Sequence, residues 1–164
     1  MTYRTGEQNL ADEIVDYLFT RTALSPAHQL TACESPIEDL FFRAMMAREI
    51  IGSCGFRDLQ LISGAPKAGL LTLQPQAKIG DMRVDFLCTV VDRAGALHKL
   101  VVECDGHDFH ERTKDQAARD RSRDRTLQEM GHTVFRFTGS EIFNAPLKCA
   151  CQVFDWALKC QDKG

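Results

Sequence analysis

The sequence predicts a mixed α/β domain, helices around a mixed sheet, and three observations carry that expectation. The first is the stretch Asp81 to His110, DMRVDFLCTVVDRAGALHKLVVECDGHDFH, which divides into two strand-like runs around Arg93-Ala94-Gly95. A three-residue hairpin loop wants a residue at positive φ in its last position, and Gly95 supplies it. The second is the stretch after His110, ERTKDQAARDRSRDRTLQEM, made of strong helix formers and followed by the β-branched and aromatic run Thr133 to Thr138. The third is a capped helix ahead of the hairpin: Ser35, Pro36 and Glu38 stand at the cap, first and third helical positions, before the apolar set Ile37, Leu40, Phe41, Ala44, Met45, Ile50 and Ile51.

In chain order, Leu10 to Thr20 spaces Leu10, Ile14, Tyr17 and Leu18 as one face of a short amphipathic helix, and Arg21 to Cys33 reads as a loop. Residues 1–33 are therefore expected to be a helical extension and linker, and residues 34–164 one compact domain. The Ser35 helix should stop near Gly52 to Gly55. Leu59 to Ser63 and Leu70 to Gln74 follow as strands around the turn-rich SGAPKAG, so the sheet is expected to grow as a meander into the hairpin. The helix after His110 should cross over and return Thr133 to Thr138 parallel to a hairpin strand. Ser140 onward reads as a closing helical segment that restarts near Asn144-Ala145-Pro146.

Composition narrows the class. With 164 residues, 44% of them hydrophobic, the chain suits one domain with a proper core. There is no apolar leader and no uninterrupted apolar run of about eighteen residues, so a cytoplasmic protein without a membrane span is expected. Seven cysteines form an odd set with several on apolar faces, which suits reduced thiols. A net charge of −3 argues against indiscriminate coating of nucleic acid, although six basic residues against four acidic ones between Glu111 and Arg125 leave a weakly basic patch.

The hairpin also gathers charge. Its register sets Val84 opposite Cys104, Asp85 opposite Glu103 and Arg83 opposite Asp105. Alternation then places Met82, Val84, Phe86, Cys88, Val90, Leu100, Val102 and Cys104 on one apolar face and the charged residues on the other. Two like carboxylates facing each other are destabilising by some tenths of a kcal/mol to about 1 kcal/mol when exposed, and by more when desolvated. A hard divalent cation held by oxygen is the economical partner for Asp85 and Glu103.

Arg83-Val84-Asp85-Phe86-Leu87, then Val101-Val102-Glu103-Cys104-Asp105-Gly106 with His110, then Asp120-x-x-Arg123-Asp124-x-x-Leu127-x-x-x-Gly131 and Val134-x-Arg136-Phe137, resemble the PD-(D/E)XK nuclease superfamily, above all its very-short-patch-repair-like, restriction-endonuclease-like branch. The resemblance spans roughly Glu34 to Cys160. It implies a restriction-endonuclease-like αβββαβ core, with the N-terminal and C-terminal helices added, and a Mg²⁺- or Mn²⁺-dependent endonuclease acting on DNA. By resemblance Asp85 is the metal-binding aspartate, Glu103 the acidic residue of the second motif, and Glu38 the glutamate of the first core helix. Asp105 departs from the pattern, since lysine usually stands there; it is either a third metal ligand or a salt-bridge partner of Arg83. His110 then matches a general acid/base or leaving-group contact, and Lys114 a substitute for the missing lysine. Arg112, Arg119 and Arg123 fall near one helix face and would contact phosphates.

Plainer readings stand beside these. A capping box accounts for Glu38, and paired surface charges such as Asp115 with Arg119 account for the arginine-rich helix. Cys104-x-x-His107-x-x-His110 has zinc-ligand spacing, but alternation turns Cys104 toward the core. The functional alternative is a catalytically silent nucleic-acid-binding or protein-interaction module that keeps the nuclease fold; a zinc-stabilised structural protein ranks behind both. Nothing marks a recognition domain, so a homodimer or a partner protein is expected to supply recognition.

Overall fold

Gly95 adopts φ +88°, and the loop it closes sets the register of the sheet. The Asp92 N–H donates to the Ala96 carbonyl at 3.0 Å and the Gly95 N–H to the Asp92 carbonyl at 3.1 Å. The Asp92 carboxylate also accepts from the Ala96 N–H at 2.8 Å and pairs with His98 Nε2 at 2.9 Å. The ladder from Val91↔Leu97 to Phe86↔Val102 follows the expected register.

The computed structural model describes residues 32–50, 59–61, 66, 70–106 and 114–162. The expected helix Leu10 to Thr20, nearly all of the loop Arg21 to Cys33, and His107, His110 and Arg112 lie outside these residues. The described elements are α1 (Pro36–Ile50), β1 (Leu59–Leu61), β2 (Leu71–Ile79), β3 (Met82–Val91), β4 (Leu97–Asp105), α2 (Lys114–Glu129), β5 (His132–Thr138), α3 (Gly139–Asn144) and α4 (Pro146–Gln161). One five-stranded sheet has the order β1-β2-β3-β4-β5. The mixed α/β class and the parallel return of β5 onto β4 hold.

Two expectations about the first strands do not. β1 pairs parallel to β2, so the sheet does not begin as a meander; turn-rich composition marks a connection without fixing its direction. β2 also runs past Pro75 to Ile79. Among the described residues β1 covers β2 only from Leu71 to Leu73, so Pro75 lies beyond that ladder, where a missing N–H is tolerated.

The larger core lies between one sheet face and helices α1, α3 and α4. Phe41, Phe42 and Met45 of α1 and Val153, Phe154 and Ala157 of α4 meet Leu71, Leu73, Phe86, Cys88, Val90, Leu100 and Val102. Burying such a side chain contributes about 1.5–3 kcal/mol. The Phe41 ring packs tilted against Phe86 at 5.2 Å and Phe137 at 5.8 Å, fixing α1 on the strands. The opposite face carries a small cluster of Ala77, Val84, Val101 and Leu127. Because α2 has few apolar residues, Leu127 is the one buried hydrophobic it contributes among the described residues, and charge holds much of the rest. Thr138 caps α3 in a reciprocal box with Glu141, and Pro146 starts α4 where the helical segment was expected to restart.

Candidate active site

Glu38 begins as a helix cap. Its N–H donates to Ser35 Oγ at 3.2 Å, and its carboxylate accepts from Ser35 Oγ at 2.8 Å and from the Glu34 N–H at 2.9 Å. One further bond goes beyond capping: Gln76 Nε2, from β2, donates to Glu38 Oε2 at 2.7 Å. The side chain is buried at 6% exposure, so the first turn of α1 is tied to the sheet through it.

The tie falls where the sheet breaks its own alternation. The β2–β3 ladder pairs Pro75 with Phe86 and Ala77 with Val84 but skips Gln76 and Asp85, and Gln76 has φ +49°. On one side of this point Leu73 and Phe86 belong to the α1/α4 core; on the other Ala77 and Val84 join the cluster under α2. Residues two or four apart should share a face, so both strands turn over at this position. The expected single apolar face therefore fails for Met82 and Val84, which pack with the α2 cluster. A residue outside the usual backbone regions, held where ladder pairing lapses, is a recurrent feature of functional sites.

The ladder between β3 and β4 stops at Phe86↔Val102, so the expected Asp85–Glu103 and Arg83–Asp105 ladder pairs do not form. Instead the Cys104 N–H donates to Asp85 Oδ2 at 2.6 Å. Arg83, freed from that pairing, makes a bidentate contact with Glu34 at 2.6 and 2.7 Å, which corrects the expected partnership with Asp105. Asp105 pairs with Arg136 of β5 at 3.2 Å. Arg136 in turn grips Asp124 of α2 through Nε and Nη2 at 2.8–3.0 Å, joining β4, β5 and α2.

Glu103 sits beside this clamp, 5% exposed. Arg123 Nη2, from α2, is 2.8 Å from Glu103 Oε1, but its N–H aims at the Arg83 carbonyl. Glu103 Oε1 is thus buried without a directed hydrogen bond among the described residues. Burial, opposed by Arg123 and reinforced by Asp85, pushes the Glu103 carboxyl up to about 7. Burial likewise raises Asp85; the Cys104 N–H opposes this, Glu38 adds to it, and Arg123 opposes it again. Two desolvated carboxylates with raised proton affinity share one end of the sheet, an arrangement suited to a cation or a proton.

Among the described residues no group of three His, Cys, Asp or Glu side chains is gathered as a cation cage. Two carboxylates still fit Mg²⁺, which keeps several waters and commonly takes one or two carboxylates plus substrate phosphate. Asp85 and Glu103, whose Oε1 is ion-paired with Arg123 but takes no directed hydrogen bond among the described residues, are such a donor set.

Of the expected residues, Glu38, Asp85, Glu103 and Asp105 share one electrostatic neighbourhood, and Arg123 points into it. Arg119 is exposed on α2, and Lys114 is the first residue of that helix. Gln76 was not singled out by the sequence, since it falls just past the expected strand Leu70 to Gln74. Asp124 and Arg136 stood in the quoted motifs without a role, because a contact twelve residues apart around a helix end leaves no periodic signal.

A mixed sheet flanked by helices, with acidic residues where its alternation breaks, defines a restriction-endonuclease-like core. The model of the family REase_MTES_1575, a restriction-endonuclease-like family, matches residues 66–155, and the chain belongs to that family. The matched range holds Gln76, Asp85, Glu103, Asp105, Arg123, Asp124 and Arg136, whereas Glu38 lies ahead of it. No curated protein and no solved structure matches the chain.

Proposed function

We propose that this protein is a metal-dependent endonuclease hydrolysing phosphodiester bonds in DNA, of the very-short-patch-repair-like kind. The observation that carries the reading is the buried, undirected Glu103 Oε1 beside Asp85 in a chain of a restriction-endonuclease-like family. Asp85 and Glu103 would hold Mg²⁺ or Mn²⁺, which when bound supplies Lewis-acid polarisation of the phosphate. Asp105 would join them as a ligand only by leaving Arg136.

The chain's own residues do the rest. Glu38 and Gln76 lock α1 to the broken ladder and so fix where Asp85 points. The Arg136 clamp ties β4 and β5 to α2 beside Glu103. In the reaction the oxygen of a water molecule bonds to phosphorus, the opposite phosphorus–oxygen bond breaks, the proton of the water passes to solvent, and the departing oxygen takes a proton from His110 or from solvent. By the same resemblance Arg112, Arg119 and Arg123 would contact phosphates, and Lys114 would orient or deprotonate the attacking water in place of the missing lysine.

The test is nicking of supercoiled DNA with Mg²⁺ or Mn²⁺ by the wild type, Asp85→Ala and Glu103→Ala. Metal-dependent nicking lost in both variants is expected; cleavage that persists in both sinks the proposal. One observation favours a second reading, a silent nucleic-acid-binding module: the usual lysine position holds Asp105, itself engaged by Arg136. That reading expects salt-dependent DNA binding with no turnover by the wild type.

A further inference from the structure

We propose that Arg123 contacts the phosphate being cleaved, bringing from α2 a positive charge to the carboxylates that Asp105 does not supply from β4. This inference rests on the nuclease reading above. Three observations support it. The Arg123 guanidinium reaches Glu103 Oε1 at 2.8 Å across the gap between α2 and the sheet, so it stands beside the carboxylates rather than along the outer helix face. The same Nη2 donates to the backbone carbonyl of Arg83, which anchors the group beside Glu103. The side chain is nevertheless 33% exposed, so one edge of the fork remains open to an incoming anion.

Among the described residues, Arg136 is committed to Asp124 and Asp105, and Arg83 to Glu34. Arg123 also opposes the rise in proton affinity of both Asp85 and Glu103, so its field spans the site. A guanidinium does not give up its proton in proteins, so Arg123 cannot take over water activation. What it can do is present fixed donors to the non-bridging oxygens as negative charge builds on them, a role in which a single preorganised donor is worth about 10²–10³ in turnover.

The role separates Arg123 from the surface arginines. Arg119, exposed on the same helix, should affect substrate affinity, whereas Arg123 should affect turnover. The experiment uses the full chain as wild type, Arg123→Met, Arg123→Lys and Arg119→Ala, with Mn²⁺ titration by calorimetry and nicking kinetics at saturating Mn²⁺ on supercoiled DNA. Arg123→Met should bind Mn²⁺ as tightly as the wild type or more tightly, because a competing charge leaves the carboxylates, while kcat falls by about 100-fold. Arg123→Lys should recover part of that loss, and Arg119→Ala should raise KM with kcat kept. Wild-type kcat in Arg123→Met overturns the inference. So does loss of Mn²⁺ affinity in that variant, which would make Arg123 a support for carboxylate geometry. A wild type that neither binds Mn²⁺ nor nicks DNA overturns the nuclease reading and this inference together; wild-type nicking beside an unimpaired Arg123→Met overturns the inference alone.

Discussion

Replacing Glu103 by glutamine should stabilise the protein, and more so as pH rises. Glu103 is nearly fully buried, and its carboxyl is pushed up from an ordinary value of 4.5 to about 7, first by burial. Between those values the folded protein keeps a proton that the unfolded chain has released. Stability therefore falls as pH rises through this window and stays low above it. At about 1.36 kcal/mol per pKa unit, the ionised side chain costs the fold roughly 3 kcal/mol at pH 8 and under about 1 kcal/mol at pH 5. The attraction of Arg123 is already contained in that figure, since the raised value is what remains after it. Glutamine mimics the protonated shape and carries no charge at either pH. Urea denaturation of wild type and Glu103→Gln with EDTA present, at pH 5 and pH 8, reads the difference directly. The variant's advantage should grow by roughly 2–3 kcal/mol between the two pH values. An advantage that stays flat, or a variant less stable at pH 8, would refute the claim that Glu103 is buried as a poorly compensated charge.

Other perturbations reach the scaffold. Arg136→Ala leaves Asp105 and Asp124 without their shared partner and should lower stability by about 3–5 kcal/mol if the clamp acts as a buried pair, and by less in proportion to its partial exposure; thermal melts followed by near-UV dichroism would check it. Gly95→Ala meets no atom within 4 Å but must adopt φ +88°, so a loss of about 1–2 kcal/mol is expected from backbone conformation alone, read by urea denaturation. Phe41→Ala empties the contact with Phe86 and Phe137 and should cost about 3–5 kcal/mol by the same measurement. Asp92 is held below its usual range by His98 first and then by the Ala96 N–H, so its contribution is present at neutral pH and lost as pH falls through that lowered value. The protection of the Ala96 amide, its exchange slowing relative to an unstructured amide at the same pH, should fall in acid, and Asp92→Asn should remove most of that pH dependence.

The hairpin was legible because turn chemistry is local. Gly95 decides the loop, the loop decides the register, and the pairs from Phe86 to Val91 follow. The helix at Ser35 and the restart at Pro146 were legible for the same reason, through capping residues within one turn. The carboxylates were legible as residues and misplaced as geometry. Extending a regular ladder to Asp85 and Arg83 assumed that alternation continues, whereas Gln76 at φ +49° turns both strands over at that position. No sequence pattern announces a left-handed glutamine inside a strand; a glycine or asparagine there would have. The partners of Arg83, Arg123 and Arg136 were hidden because charged pairs between distant elements carry no period. Once α2 is placed by Leu127, charge decides its remaining contacts with the sheet.

Calorimetric titration of Mn²⁺ into the wild type and Asp85→Ala decides whether Asp85 and Glu103 hold a divalent cation. The wild type should bind Mn²⁺ saturably and Asp85→Ala should not, with the variant still folded by circular dichroism. Equal Mn²⁺ binding by the two proteins, or none by a folded wild type, would contradict the assignment of Asp85 and Glu103 as the place where a divalent cation sits.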